Sequence, residues 1–298
     1  MTDPCVRRAW LVLGGLSVDL ENSAAGYFCS SLDLGYPEVR EVTANRPDQD
    51  GIDDRTRYVG GRVVTAAITA IAGAGASIDG AASSFAPFMD PSTRPELHYV
   101  LDRPGSPERV LSGLRAAAFA WPIVGPYERD IQLQWLASDP FAHDPSQQTA
   151  TAWSGSATAP GRVYTLTFNR TYPPGGTSPN TAIVTNGGDV GLSPLLRFYG
   201  PISGGYVLFA WPGGSGRVGF VSSFVINAGS YVDVDTRRHT ARLNGIADPA
   251  YSVLVSLDWS TLSWPVVPPG VAATMNLYGT NTSGVTQCQA IWQNGYLS

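Results

Sequence analysis

Two aspartates separated by one residue, Asp233 and Asp235, are the strongest candidate in the sequence for an acid or metal site. On a β-strand the two side chains point to the same side and lie about 7 Å apart, so that two carboxylates can share a cation. In the alternative interpretation, Asp235 accepts backbone hydrogen bonds in the turn that starts there and Asp233 faces solvent. We favour the second interpretation because turn residues follow, and we predict no metal site.

No local motif in the sequence has the residue pattern that nucleophilic catalysis requires. The segment 191–195 reads GLSPL, which breaks the nucleophile-elbow pattern after its serine. The three histidines, His98, His143 and His239, fall in or beside different predicted strands, and we interpret each as a surface or edge residue. We therefore predict no catalytic residues and no cofactor, and a protein that is not an enzyme.

Sugar binding by β-sandwich proteins commonly uses exposed tryptophan side chains, because the indole offers an apolar face and a polar edge. Trp259 and Trp264 lie in the segment SLDWSTLSWPVVPPG, where we predict an exposed loop and possible glycan contacts. Trp292 alternates with Cys288 and Ala290 and is predicted to lie in the core instead.

The elements that would hold these residues are mainly β-strands. The chain has 33 glycines and 23 prolines among 298 residues, an excess typical of many turns between short strands. In the first half, strands are predicted at 62–71, 96–101 and 128–138, a helix at 77–90 and a long exposed loop at 43–61. In the second half, the predicted strands are 162–168, 181–185, 195–199, 206–211, 217–226, 231–234, 239–243, 251–257, 272–278 and 286–292. We expect these to form a sandwich of jelly-roll or Greek-key type.

Residues 220–245 look like a three-stranded meander, with Asn and Gly at the turns. Residues 144–161 are small and polar and are predicted to form a linker. The predicted domains are therefore an N-terminal domain over 1–143 and a C-terminal β-sandwich over 162–298.

Charge and cysteine usage narrow the possible partners. The net charge is −5, the pI is near 5.1 and no run of basic residues occurs, so specific nucleic-acid binding is not expected. The three cysteines, Cys5, Cys29 and Cys288, form no disulfide framework or zinc pair and fit folding in a reducing cytoplasm. No apolar stretch is long enough for a membrane helix, so membrane insertion is not expected.

The order of several short motifs resembles that of siphophage distal tail proteins, over about residue 35 to the end. In the first half the motifs are GGRVV at 60–64, the helix at 77–90, and QLQWLASDPF at 132–141, which ends in Asp139 and Pro140. In the second half they are NGG at 186–188, PLLRFYG at 194–200, Gly229, Asp235, Asn244 with Gly245, Pro269 with Gly270, and AIWQN at 290–294. We expect structural roles for the individual residues named in these motifs: Asp139, Pro140, Gly229, Asp235, Asn244, Gly245, Pro269 and Gly270.

The resemblance implies an N-terminal ring-forming, β-barrel-like domain with one helix and a C-terminal galectin-like, jelly-roll sandwich. It implies a homo-hexameric ring at the distal end of the tail, which joins the tail tube to the tail-tip hub and receptor-binding apparatus. The implied partners are other copies of the chain, the tail-tube protein, the tail-tip hub (tail-associated) protein, the tape-measure protein and receptor-binding proteins. DNA would pass through the lumen without specific binding. The implied location is the tail tip of the virion, after assembly in the host cytoplasm.

A second function stays open from the residues alone. A carbohydrate-binding module or adhesin of the tail tip would recognise host cell-surface glycans through the loop that carries Trp259 and Trp264.

Overall fold

A computed structural model describes residues 6–45, 52–71, 78–125, 127–153, 180–283 and 285–297. The chain divides into two compact units: unit 1 is Met1–Pro145 with Gly295–Ser298, and unit 2 is Ser146–Asn294. Both are built from antiparallel strands, which confirms the predicted mainly β class. Across these residues no helix is both long and apolar enough to cross a membrane.

The strands of unit 1 that precede unit 2 are β1 Val6–Leu13, β2 Leu16–Asp19, β3 Tyr27–Asp33, β4 Val39–Asn45, β5 Ile52–Val59, β6 Arg62–Ile71, β7 Glu96–Leu101, β8 Glu108–Leu111, β9 Leu114–Ala120, β10 Ile123–Gly125, β11 Glu128–Ala137 and β12 Ala142–His143. The strands of unit 2 are β13 Gln148–Trp153, β14 Thr181–Thr185, β15 Leu195–Tyr199, β16 Ile202–Trp211, β17 Gly214–Gly219, β18 Val225–Ile226, β19 Tyr231–Asp235, β20 Thr240–Leu243, β21 Ala272–Thr280 and β22 Gln287–Trp292. The last strand, β23 Gly295–Tyr296, belongs to unit 1. The helices are α1 Ile78–Phe85 and short 3-10 turns at Ser23–Ala25, Ala86–Met89, Pro249–Tyr251 and Leu254–Ser256.

Unit 1 is organised around the long pair β6 and β11, which stay in register from Glu128 opposite Ile71 to Ala137 opposite Arg62. Along β6 the residues alternate between buried and outward positions, because successive side chains of a strand point to opposite faces. The pair sits in a five-stranded sheet of order β10-β11-β6-β3, with β9 also on β11. A six-stranded sheet of order β2-β1-β7-β8-β12-β23 supplies further core residues.

The helix predicted at 77–90 is present as α1 followed by the 3-10 turn that contains Pro87. Its Phe85 side chain is fully buried and lies edge-on to Tyr27 at 5.5 Å between ring centroids. Trp135 is also fully buried, and its indole N–H donates to the Phe88 carbonyl at 3.3 Å. In the described part of unit 1 neither main sheet closes on itself, so the expected barrel-like domain is an open arrangement of sheets.

The end of the described chain is anchored in unit 1. Tyr296 is 9% exposed, the Arg109 guanidinium lies 4.2 Å from its ring centroid, and its hydroxyl donates to Asp144 at 3.0 Å. The buried Arg62 side chain donates to the Leu297 carbonyl at 2.9 Å. Residues 295–297 therefore belong to unit 1, whereas the second domain was predicted to extend to residue 298.

Unit 2 has two five-stranded sheets over one apolar core, as expected for a β-sandwich. The first sheet has the order β13-β22-β15-β19-β20, and the second has the order β14-β21-β16-β17 with β18 on β16. Phe198 and Phe209, one from each sheet, are fully buried. The strands predicted at 181–185 and 195–199 match β14 and β15.

Three local predictions are wrong. Part of the predicted linker is strand β13, because its backbone pairs with β22 from Gln148 opposite Trp292 to Trp153 opposite Gln287. Part of the predicted loop 43–61 is the ribbon of β4 and β5. The strand predicted at 251–257 consists mainly of two 3-10 turns, since local hydrogen bonds such as Ser252 N–H to the Pro249 carbonyl replace a ladder.

The predicted meander 220–245 is half correct. Strands β19 and β20 form a hairpin, but β18 pairs with β16 in the other sheet. The chain therefore changes sheets at the turn before β19. The strand predicted at 162–168 and the part of the linker after residue 153 lie outside the described residues.

Candidate functional site

The two aspartates of β19 have different roles. Asp235 Oδ1 accepts the backbone N–H groups of Arg237 and Arg238 at 3.0 and 2.9 Å, which confirms the predicted turn role. Asp233 does not face solvent as predicted, because Arg197 on the neighbouring strand donates from Nε and Nη2 at 2.7 and 2.9 Å and leaves its side chain 14% exposed. Within the described ranges no group of three or more His, Cys, Asp or Glu is placed to hold a metal ion.

Arg197 is fixed from several sides. Its guanidinium carbon lies 4.5 Å from the centroid of the Tyr231 ring, and the Tyr199 and Tyr231 rings are 5.8 Å apart. The hydrogen bonds to Asp233 raise the pKa of Arg197, against the opposing effect of partial burial. The pair is a rigid, oriented ion pair on the outer face of the sheet rather than an acid–base site.

The histidines do not come together as a catalytic group. His98 lies between Glu108, at 2.7 Å from Nδ1, and Glu96, at 3.5 Å from Nε2. His143 Nε2 lies 3.1 Å from Asp139 Oδ2. Both residues are on interior strands of the six-stranded sheet and are mostly buried, so the prediction of surface or edge positions is wrong for them. His239, in a turn of unit 2, is exposed as predicted.

The two loop tryptophans differ in environment. Trp259 is 56% exposed. Trp264 stacks on His239 with ring centroids 4.4 Å apart and packs against the core, so the loop does not present two exposed indole faces. Trp292 is 7% exposed, which confirms its predicted core position. Glycan contact by Trp259 and Trp264 stays a prediction.

The loop that carries Trp259 is ordered by Asp258. The hydroxyls of Ser260 and Thr261 each donate to its carboxylate at 2.6 Å. These hydrogen bonds lower the pKa of Asp258 because they stabilise the charged form.

The Asp139–Pro140 motif lies between the end of β11 at Ala137 and the start of β12 at Ala142. Asp139 Oδ1 accepts the Phe141 backbone N–H at 3.2 Å while Oδ2 faces His143. Pro140 is buried. The motif thus shapes the corner through which the chain leaves the five-stranded sheet.

The other signature residues lie in turns of unit 2. Gly229 has φ of 79°, and Asn244 and Gly245 have φ of 52° and 66°, values that favour glycine and asparagine. The Tyr231 backbone N–H donates to Asn244 Oδ1 at 3.0 Å, which fixes the end of the β19–β20 hairpin. In the segment 269–270, Pro269 precedes Gly270, which has φ of 69°. These positions serve backbone geometry.

The sequence reasoning missed a surface on unit 1 that combines exposed apolar side chains with few charges. The outward side of β6 and its neighbours carries four large apolar side chains, between 38% and 45% exposed: Phe28, Val63, Ile71 and Leu136. Between them lie the small or uncharged side chains of Thr65, Ala67, Gln132 and Gln134. We call these eight residues the outer face of unit 1. In the sequence, this face could have been found from β6, which reads RVVTAAITAI and has Arg62 as its one charged residue.

An exposed apolar sheet surface of this kind is typical of a protein–protein contact, since isolated exposed apolar residues are common but contiguous ones are not. Charged side chains also lie on this side of the sheet: Glu128 and Asp130 stand opposite Ile71 and Thr69, while Asp33 and Arg115 lie toward the edges on β3 and β9. The arrangement can bury apolar area against another protein and has no group poised for chemistry.

No protein-family model and no curated protein matches the chain. Among solved structures, the chain is similar to the crystal structure of the SPP1 Dit protein (gp 19.1), described there as a paradigm of the hub adsorption apparatus in phages infecting Gram-positive bacteria. The identity is 11%, the TM-score is 0.56, and the match covers 96% of this chain and 98% of that chain. Structures of the phage P2 baseplate in its activated conformation with Ca and with Sr match at 10% identity and TM-scores of 0.44 and 0.40, over 95% of this chain and 97% of theirs. The first likeness shows that the fold is shared along nearly the whole chain.

Proposed function

We propose that this chain is a structural protein of a phage tail. It forms a homo-hexameric ring at the distal end of a siphophage tail and joins the tail tube to the tail-tip hub and receptor-binding apparatus. The observation that carries the proposal is the fold shared with SPP1 Dit over both units, 96% of this chain and 98% of that one. A ring protein needs no catalytic group, in accord with ion pairs and turns that serve structure.

The outer face of unit 1 gives the proposal a physical basis for self-association. Burial of apolar surface contributes about 25 cal/mol per Å², and interface cores are depleted in charged residues. Val63 and Leu136 stand opposite each other on β6 and β11, so their side chains form one continuous apolar patch. We place subunit contacts of the ring on this face.

The remaining partners follow from the position in the tail. The ring would contact the tail-tube protein on one side and the tail-tip hub protein on the other, with the tape-measure and receptor-binding proteins nearby. The virion tail tip would be its location, after assembly in the host cytoplasm. The net charge of −5 per chain accords with a lumen that lets DNA pass without retaining it.

Mass photometry of the purified full chain tests the ring. Six copies of a 31.6 kDa chain give a particle of about 190 kDa, and negative-stain images should show a closed ring. The particle should persist at 1 M salt, because apolar contacts are not screened. A wild-type protein that stays monomeric at micromolar concentration in both measurements would contradict the proposal.

Two substitutions locate the contact. Leu136→Asp and Val63→Asp place a charge within the outer face of unit 1 and should abolish the hexamer while both units remain folded. The matched control is Val255→Asp, because Val255 is 86% exposed and lies in unit 2. A hexamer that survives both unit 1 substitutions would move the subunit contact elsewhere.

A further inference from the structure

The outer face of the first sheet of unit 2 carries two parallel rows of side chains. In antiparallel strands, residues directly opposite each other point to the same side. The polar row, one residue from each of four neighbouring strands, is Gln289, Arg197, Asp233 and Arg242. The aromatic row is displaced from the polar row by two residues along the strands and crosses β13, β22, β15 and β19. Its members are Trp153, Gln287, Tyr199 and Tyr231. All eight are half-buried, as expected for a flat and open surface.

The centre of the polar row is preorganised. Arg197 is held by both Asp233 oxygens, by the Tyr231 ring and by a side-chain hydrogen bond with Tyr199, so its remaining N–H groups have a fixed direction. Asp233 presents oxygen lone pairs beside them. A donor and an acceptor held at adjacent positions bind a neighbouring pair of hydroxyl groups with little loss of side-chain entropy.

Other members of the two rows have unused hydrogen-bonding capacity. Arg242 stands directly opposite Asp233, but both oxygens of that carboxylate already pair with Arg197. The Arg242 guanidinium and the side-chain amides of Gln287 and Gln289 have no hydrogen bond or ion pair with the residues that the structure describes. The polar row therefore ends in a free guanidinium.

A groove of about 170 Å³ adjoins that guanidinium. Its lining includes Arg242, Arg238 and Thr240 together with Asp233 and Asp235. Each of the two carboxylates has a cationic partner, Asp233 in Arg197 at 2.7 Å and Asp235 in Arg238 at 3.8 Å, which leaves Arg242 without one. The unpaired charge at the groove is thus positive.

We propose that this face binds an acidic oligosaccharide. A pyranose ring has an apolar C–H face that packs on an aromatic side chain and a rim of hydroxyls that pair with planar amide, guanidinium and carboxylate groups. Trp153 lies two strands from Tyr199, about 10 Å at the usual strand spacing, which suits a short chain of sugar rings. The carboxylate or phosphate of the sugar pairs with Arg242.

Two other kinds of ligand fit this face less well. A protein partner would have to desolvate Gln287, Gln289 and Arg242, and the rows lack the aliphatic side chains that form an interface core. A nucleic acid needs several cationic contacts along its phosphate backbone, whereas these rows offer one guanidinium, that of Arg242, outside the Arg197–Asp233 ion pair. The saccharide site stands on the geometry of unit 2 alone and does not depend on ring assembly.

The test is an array of neutral, uronate-containing and phosphate-substituted oligosaccharides probed with the full chain, followed by calorimetry on the tightest acidic glycan. Trp153→Ala should weaken its binding about tenfold. Arg242→Gln should weaken it by a similar factor and remove the preference over the neutral analogue. If Trp153→Ala alters the unfolding temperature, Gln289→Ala replaces it, with an expected loss of about fivefold.

Matched controls separate this face from exposed side chains of the same types elsewhere. Trp121→Ala removes a tryptophan of unit 1 that is 44% exposed, and Arg103→Gln removes an exposed arginine of unit 1; both should leave the affinity unchanged. The proposal would be overturned if the array retained no acidic glycan, or if Trp153→Ala and Arg242→Gln left the affinity unchanged. Mass photometry of the same samples keeps this result separate from the ring: a monomer that binds the glycan supports the site and contradicts the ring.

Discussion

Tyr296 allows the structural role of the last residues to be measured. Its side chain is 9% exposed in the core of unit 1, beneath the Arg109 guanidinium, and its hydroxyl donates to Asp144. Tyr296→Phe removes only the hydroxyl hydrogen bond, and Tyr296→Ala removes the ring as well. The two substitutions therefore divide the stabilisation between polar and apolar contacts.

The magnitudes follow from the contacts. Loss of one hydrogen bond to a half-buried carboxylate costs about 1–2 kcal/mol, so Tyr296→Phe should lower the free energy of unfolding of unit 1 by that amount. Truncation of a buried aromatic ring costs about 3–5 kcal/mol, and the lost cation–π contact adds about 0.5–1 kcal/mol. Tyr296→Ala should therefore destabilise unit 1 by about 4–6 kcal/mol.

Hydrogen exchange in increasing urea, read by mass spectrometry, reports the two units separately. Peptides from β7 and β11 should lose protection at lower urea in Tyr296→Ala, and peptides from β15 and β16 should not change. Tyr251→Ala in unit 2 is the control, because this tyrosine is 42% exposed and its loss should change stability by less than about 0.5 kcal/mol. Equal loss of protection in both units, or none in unit 1, would refute the assignment of residues 295–297 to unit 1.

Further predictions concern thiols, pH and two glycines. Burial raises the pKa of the Cys288 thiol well above its usual value and that of Cys29 less, so Ellman's reagent should modify Cys29 in the native protein and Cys288 only after unfolding. Hydrogen bonds lower the folded pKa of Asp258, so its stabilising effect is present above about pH 4 and is lost as the pH falls; the difference in melting temperature between wild type and Asp258→Asn should close over that range. Gly14→Ala should cost about 1 kcal/mol in chemical denaturation, because φ is 58° with open space around it. Gly35→Ala should cost at least about 2 kcal/mol, since φ is 61° and the new Cβ would collide with the backbone of β6.

Local sequence patterns were enough to predict a strand where it has one buried and one outward face. The strands predicted at 181–185 and 195–199 begin and end at the same residues as β14 and β15. The helix was predicted from apolar residues that share one face of the segment 77–90. The ribbon of β4 and β5 was missed because a ladder is made by backbone groups, which a polar composition does not reveal. Strand β13 was missed for the same reason, as its partner β22 is more than a hundred residues away.

The candidate sites show the same limit. Asp235 could be assigned to its turn because its partners are two and three residues away. Asp233 could not be assigned, since its partner Arg197 comes from a strand 36 residues earlier and faces it only through the register of β15 and β19. The same register creates the rows of the proposed saccharide site, so no local motif could have indicated them.

The pairing of β12 with β23 makes unit 2 an insertion into unit 1. His143 stands opposite Gly295, so the chain leaves unit 1 and returns to it at neighbouring positions of one ladder. A tight turn that joined these two positions would close unit 1 without residues 146–294. In evolution, this junction would accept another domain whose own ends lie close together, so that unit 2 could be replaced while the fold of unit 1 stays unchanged.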